Sequence, residues 1–307
     1  MIGWWTYDRL RVDPSLYAID FTYCWNAARY LIAGDNPYWR MPPGAYPVSG
    51  PLLYPLPTAI ITAPLAWLPV QVAGAVFNGL SAMLLAYALA RRAYWQLMMF
   101  LSPSYVLAYY NIQWSPLMVA ATMLPWLSSL AIAKPNLGLV VAAARPNWWL
   151  FGGTVFFGVL SLLFIPHWPL DWWHALHQQR TQHTPALIWP LGAAGLIGLL
   201  RWRQPESRIL AVLTLVPTSA VPYDHLFLWL IPRTWWQSLL LTATAWLGWL
   251  VLLATGPHDL TRSPTMAHFL VALGIYVPAA LMVWLGPPTG LSFRDPVDAS
   301  GPTGDRA

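Results

Sequence analysis

Long apolar runs fill the chain beyond residue 70, and the polar positions between them set where each can begin and end. Runs near 71–90, 95–112, 115–133, 147–165, 185–200, 207–222, 234–255 and 265–285 approach the ~20 helical residues that cross a hydrocarbon core. Two shorter pieces, 135–144 and 226–232, read as re-entrant or half-length. Residues 1–50 hold no span, because Asp8, Arg9, Arg11, Asp13, Asp20, Arg29, Asp35 and Arg40 interrupt every apolar stretch. Between Leu16 and Ile32 the spacing of Leu16, Ile19, Tyr23, Ala27 and Tyr30 predicts an amphipathic helix along the membrane surface. Gly34-Asp35-Asn36-Pro37 ends it with turn chemistry. The proline-rich stretch 41–69 predicts a short lead-in dipping into the bilayer. The Gly-, Pro-, Asp- and Ser-rich tail from Pro287 predicts disorder.

Composition turns this pattern into a class. Of 307 residues 57% are hydrophobic and 9% charged, whereas a soluble domain averages about 25% charged. That balance predicts an all-α polytopic membrane protein with three parts: an extracytoplasmic interfacial segment (1–50), a transmembrane bundle (51–286) and a disordered cytoplasmic tail (287–307). The 30 prolines fit broken helices around a cavity or punctuation at span ends. The 21 tryptophans fit headgroup belts. With 1–50 outside, ten basic residues including Lys134 fall inside and six outside. The net charge of +5 thus records orientation and not nucleic-acid binding. The single cysteine, Cys24, excludes an intrachain disulfide and reads as an inert buried thiol.

The polar minority carries the candidate chemistry. Asp20, beside Phe21 and near Trp25, is placed for partial desolvation, which raises a carboxyl toward general-base strength. Arg29 and Arg40 are its nearest cations in sequence and suit a departing phosphate. In Pro222-Tyr223-Asp224-His225, two ionisable side chains at a span end point to a cavity or to water. His225 could donate to a lipid phosphate, and Asp224 could fix its tautomer or hold a sugar hydroxyl. Asn111 and Gln113 beside Tyr110 and Trp114 suit sugars and equally an interfacial belt. Lys134, before Pro135-Asn136, reads as snorkelling inward or as a binding cation. His167, Asp171, His174, His177 and His183 invite a metal reading, but an amphipathic outer loop is preferred: no H-E-x-x-H and no cysteine pair occur. Neither a phosphate-binding glycine loop nor a G-x-S-x-G elbow is present.

The order Asp20-Phe21, Ala27-Ala28-Arg29, Asn36-Pro37-Tyr38, Tyr54-Pro55-Leu56-Pro57 and Ala63-Pro64-Leu65 resembles glycosyltransferase family 87. These are polyprenol-phosphate-dependent mannosyltransferases of the GT-C superfamily. Asn111-x-Gln113 is similar to that family's Gly-Gln-containing turn without the glycine. Lys134-Pro135-Asn136 is similar to its Lys-Pro-Gln element, and Tyr223-Asp224 through Pro232 to its late Tyr-Asp-x-x-x-Leu-x-x-Pro segment. The resemblance implies a GT-C-like bundle with an outer-face catalytic loop in a multi-pass protein of a bacterial plasma membrane. It implies Asp20 as base, a polyprenyl-phosphate sugar donor (mannose foremost), a lipid or glycan acceptor, and no cofactor or metal. Arg29, Arg40 and His225 would bind the donor phosphate; Asn36, Tyr38, Tyr54, Asn111, Gln113, Lys134, Tyr223 and Asp224 would bind substrate. Such proteins normally carry a span before the catalytic Asp; its absence before Asp20 fits a truncated, a decayed or a compact relative. Two other readings stand beside it: a transporter or flippase for an amphipathic lipid, and a membrane subunit without chemistry of its own.

Overall fold

A computed structural model describes residues 1–12, 20–40, 52–178, 182–219, 221–254 and 264–286. The tail from 287 on and the proline-rich stretch 41–51 lie outside them. The helices are α1 (Ile2–Val12), α2 (Asp20–Ile32), α3 (Pro37–Arg40), α4 (Leu56–Thr62), α5 (Val70–Arg92), α6 (Pro103–Tyr110), α7 (Ser115–Met123) and α8 (Pro135–Ala144). They continue with α9 (Trp148–Phe164), α10 (Trp168–Gln178), α11 (Leu191–Leu196), α12 (Pro205–Leu215), α13 (Trp235–Ala254), α14 (Pro264–Val271) and α15 (Val277–Leu285). Short 3₁₀ segments link several of them, and a π-turn joins α14 to α15. Among the described residues the fold is all-α apart from one antiparallel pairing of Gln182 with Ser219 and His183 with Thr218.

Among the described residues three helices are long and apolar enough to cross a membrane: α5, α13 and the continuous His268–Leu285. A fourth candidate, α9 with α10, bends by 96° between Phe164 and Trp168. Among the described residues the eight spans expected from hydropathy thus reduce to three, or four if the bent pair is one span. The expected runs 95–112, 115–133 and 207–222 break at Ser102, Leu124 and Val216, each extended and each followed by proline. Proline has no N–H for the helical ladder and pushes the preceding residue out of the α region. Hydropathy reports burial in something apolar and cannot tell a span from a broken core segment.

The run 115–133 shows the difference most clearly. α7 leads out from Ser115, turns at Leu124-Pro125, and a 3₁₀ segment (Pro125–Ala133) packs back along it. The two ends meet: Ser115 Oγ donates to Asp224 Oδ1 at 3.3 Å, and Lys134 Nζ donates to the same oxygen at 2.6 Å. Both ends of the segment thus lie on one side, so Lys134 does not sit opposite Asp20 and Asp224 as the basic-residue count placed it. The segment is a helical hairpin, buried at every residue from Ser115 to Thr122.

The first residues pack on the bundle. α1 packs along α5, where Gly3 lies so close to the Ala75 carbonyl that a Cβ would collide with it, and faces Gly79 in ordinary contact. Asn78 Nδ2 donates to Thr6 Oγ1 at 3.0 Å and to the Tyr109 carbonyl at 3.2 Å, so the contact is polar as well as close. α2 buries Phe21, Thr22, Cys24, Trp25, Asn26, Ala27 and Ala28 against α4 and α5. It is a packed element of the bundle with only its last turns outside, because small residues at 27 and 28 let it approach its neighbours on more than one face.

Candidate functional site: a buried carboxylate and ion-pair cluster

Four separate stretches converge at the start of α2. Thr58 Oγ1 on α4 donates to the Ala133 carbonyl at 2.7 Å and so anchors the backbone just before Lys134. Pro135 then opens α8 at a position where its missing N–H is harmless, leaving Lys134 as the residue that points back. Lys134 is 6% exposed and Asp224 1%. Their ion pair is completed by Gln113 Oε1, which accepts from Lys134 Nζ at 3.0 Å. The Ser219 backbone N–H reaches Asp224 Oδ2 at 3.4 Å, and the Lys134 ammonium lies 5.1 Å from the Tyr223 ring centroid.

Gln113 is delivered by a strained turn. Ile112, fully buried, has φ +46°, a left-handed conformation that glycine adopts without penalty and a β-branched residue does not. The turn folds the chain sharply after α6, so that Gln113 faces inward. Its Nε2 is buried without a hydrogen-bond partner.

Asp20 stands at the mouth of this cluster. It keeps partial access to solvent while lying deep beneath neighbouring segments of the fold, and its pKa is pushed up from 3.8 to about 6. Desolvation is the main cause; Lys134 opposes it, Asp224 adds to it, and the Tyr54 hydroxyl against the carboxylate opposes it. Burial and the same carboxylate hold the Tyr54 and Tyr223 phenols well above their ordinary range, so both are neutral O–H donors. Burial likewise pushes the Cys24 thiol up, in keeping with an inert cysteine.

Of the residues singled out in the sequence, Asp20, Tyr54, Gln113, Lys134, Tyr223 and Asp224 therefore share one site. The others lie elsewhere. Arg29 is exposed, with its guanidinium 4.9 Å from the Trp25 ring. The side chain of Arg40 lies outside what is described. His225 turns away from the cluster and pairs with the Tyr276 hydroxyl at 3.2 Å; burial pulls its pKa down to about 4. Asn111 spends its amide on the Leu107 carbonyl at 2.8 Å. Asn36 and Tyr38 reach the site indirectly: the Tyr38 hydroxyl donates to the Tyr54 carbonyl at 2.9 Å. Ser115 and Ser219 carried no signal in the sequence, since each contacts Asp224 only through the tertiary fold.

His167 and Asp171 are 3.4 Å apart, but among the described residues no group of three His, Cys, Asp or Glu side chains is arranged to hold a metal ion. Comparison with protein-family models, curated proteins and solved structures gives no match.

Proposed function

We propose that the chain is a membrane glycosyltransferase that moves a sugar, mannose foremost, from a polyprenyl-phosphate donor to a hydroxyl of a lipid or glycan acceptor. The observation that carries this reading is the convergence of Asp20 with the buried Lys134–Asp224 pair. A carboxyl poised near pH 6 suits proton removal at neutral pH. Asp20 takes the proton from the acceptor hydroxyl, whose oxygen forms a bond to the anomeric carbon. The bond from that carbon to the phosphate oxygen breaks, and polyprenyl phosphate leaves with the electron pair.

Lys134 and the phenol O–H groups of Tyr54 and Tyr223 provide donors for the charge that develops on the phosphate. Asp224 holds Lys134 in place and limits its excess positive charge. The resemblance to glycosyltransferase family 87 supports the reading, because three of its separate motif pieces supply Gln113, Lys134 and Asp224 to this one cluster. α7 starts at the cluster and is buried from Ser115 to Thr122, which supports an enzyme over a carrier with a through-path.

The test is a transfer assay in membranes containing the chain and radiolabelled polyprenyl-phosphate mannose, with endogenous lipids and glycans as acceptors. Label is expected to move to acceptor with the wild-type chain and not with Asp20→Asn. Full transfer by Asp20→Asn would refute the assignment.

A further inference from the structure

A pocket with a mainly apolar wall and a polar edge opens beside the C-terminal turn of α2. About 190 Å³ in volume, it is lined by residues of that turn (Leu31, Gly34, Asp35, Asn36), by Trp39 and by the bend between α9 and α10 (Phe164 to His167). At its edge Asp171 Oδ2 accepts from Asn36 Nδ2 at 2.9 Å, and Asp171 Oδ1 from Trp39 Nε1 at 3.4 Å. The Trp39 ring stacks on the His167 imidazole with centroids 5.5 Å apart, yet 67% of Trp39 is exposed. An aromatic face held in place by a carboxylate and left open to solvent is a platform waiting for a flat, partly apolar partner.

The chemistry around that platform narrows the partner. Two carboxylates, Asp35 and Asp171, disfavour an anion, so a lipid phosphate is a poor fit. The volume is below the ~300 Å³ at which drug-sized ligands are bound. A neutral ring carrying hydroxyl donors and one apolar face meets each condition. We infer that this pocket is a saccharide subsite, with Trp39 as stacking platform and the second amide N–H of Asn36 and the Nδ1 of His167, both side chains held by Asp171, as partners for hydroxyl groups.

The subsite connects to the cluster described above. Asp171 holds Asn36, whose Oδ1 accepts from the Tyr38 backbone N–H at 3.0 Å. The Tyr38 hydroxyl then donates to the carbonyl of Tyr54, whose own hydroxyl lies against Asp20. Its role as the place where the glycan part of an acceptor docks rests on the transferase reading; its capacity to bind sugar does not.

Saturation-transfer NMR on the full chain, in a detergent without a sugar headgroup, tests the binding directly. The probes are the methyl glycosides of mannose, glucose, galactose and arabinofuranose. At least one is expected to bind saturably in the millimolar range. The signal should fall at least fivefold in Trp39→Ala and be retained in Trp39→Phe and in Asp20→Asn. Absence of saturable binding by all four probes, or undiminished binding by Trp39→Ala, would overturn the subsite. Loss of transfer in Asp20→Asn alongside unchanged sugar binding by Trp39→Ala would leave the transferase standing and remove only this inference.

Discussion

Lys134 and Asp224, ninety positions apart, meet at 2.6 Å with almost no solvent on either side chain. Two such charges are expensive to bury, and the pair is tolerated because Gln113, Ser115 and the Ser219 N–H satisfy what the ion pair leaves over. Removing one partner is worse than removing both. Lys134→Met should destabilise the chain by about 3–5 kcal/mol, since Asp224 is left as an uncompensated buried charge. Lys134→Met with Asp224→Leu should recover most of that loss. Thermal melting in detergent reads both effects, and equal melting points for the single and double variants would contradict the account.

Asp20 gives a pH dependence whose sign follows from its shift. Its folded pKa of about 6 lies above the ordinary 3.8, so the folded chain holds this proton more tightly than the unfolded chain does. The contribution of Asp20 to stability is therefore greatest below pH 3.8 and falls as pH rises through about 6. Asp20→Asn, uncharged throughout, should flatten the melting-point profile across that window. Transfer, which needs the ionised base, should rise with pH through a midpoint near 6. At pH 7 the same variant should lose about 10²–10⁴-fold in rate. A rate independent of pH between 5 and 7 would contradict the role.

How much of this could be read from the sequence differs between Asp20 and Lys134. Asp20 was legible because a carboxylate flanked by aromatics in a chain with little charge has few reasons to be there. Lys134 was misplaced because a basic residue after an apolar run reads as an inner anchor, and only the turn at Leu124-Pro125 shows that the run doubles back. The long helices α5 and α13 were expected from unbroken apolar runs of matching length. The breaks at Ser102, Leu124 and Val216 were hinted at only by the prolines after them, since proline permits either a kinked span or a stop. His225 was grouped with Asp224 by adjacency. The 3₁₀ backbone of Pro222–Leu230 turns the two apart, one to Lys134 and the other to Tyr276.

The returning 3₁₀ segment of the hairpin depends on a glycine. Gly153 of α9 packs so closely on Ser129 that a Cβ at this position would overlap the Ser129 backbone. Gly153→Val cannot be absorbed by a side-chain rotation, because the obstacle is main chain. It should cost at least about 1–3 kcal/mol, seen as a lower melting point. Gly152, next in sequence, inside the helix and open around its Cα, should accept alanine with no loss of stability. Equal tolerance at the two positions would contradict the packing of α9 on the hairpin.

Arg29 separates sequence proximity from spatial proximity. It is near Asp20 in the chain and was a natural partner for a departing phosphate. Its guanidinium instead lies over Trp25 at the exposed end of α2, where a cation–π contact contributes about 0.5–1 kcal/mol. Trp25 keeps its own anchor, an indole N–H donated to the Leu68 carbonyl at 3.2 Å, so the helix does not depend on Arg29. Arg29→Ala should therefore lower the melting point only slightly and change transfer by less than about threefold, within the range of exposed pairs. Lys134→Gln, which keeps polarity at the buried position but removes the charge, should lower transfer by at least about 100-fold, the size seen when a single electrostatic donor is removed. If Arg29→Ala proved the more damaging of the two for transfer, the donor phosphate would have to leave toward the end of α2, and Lys134 would be confined to holding Asp224.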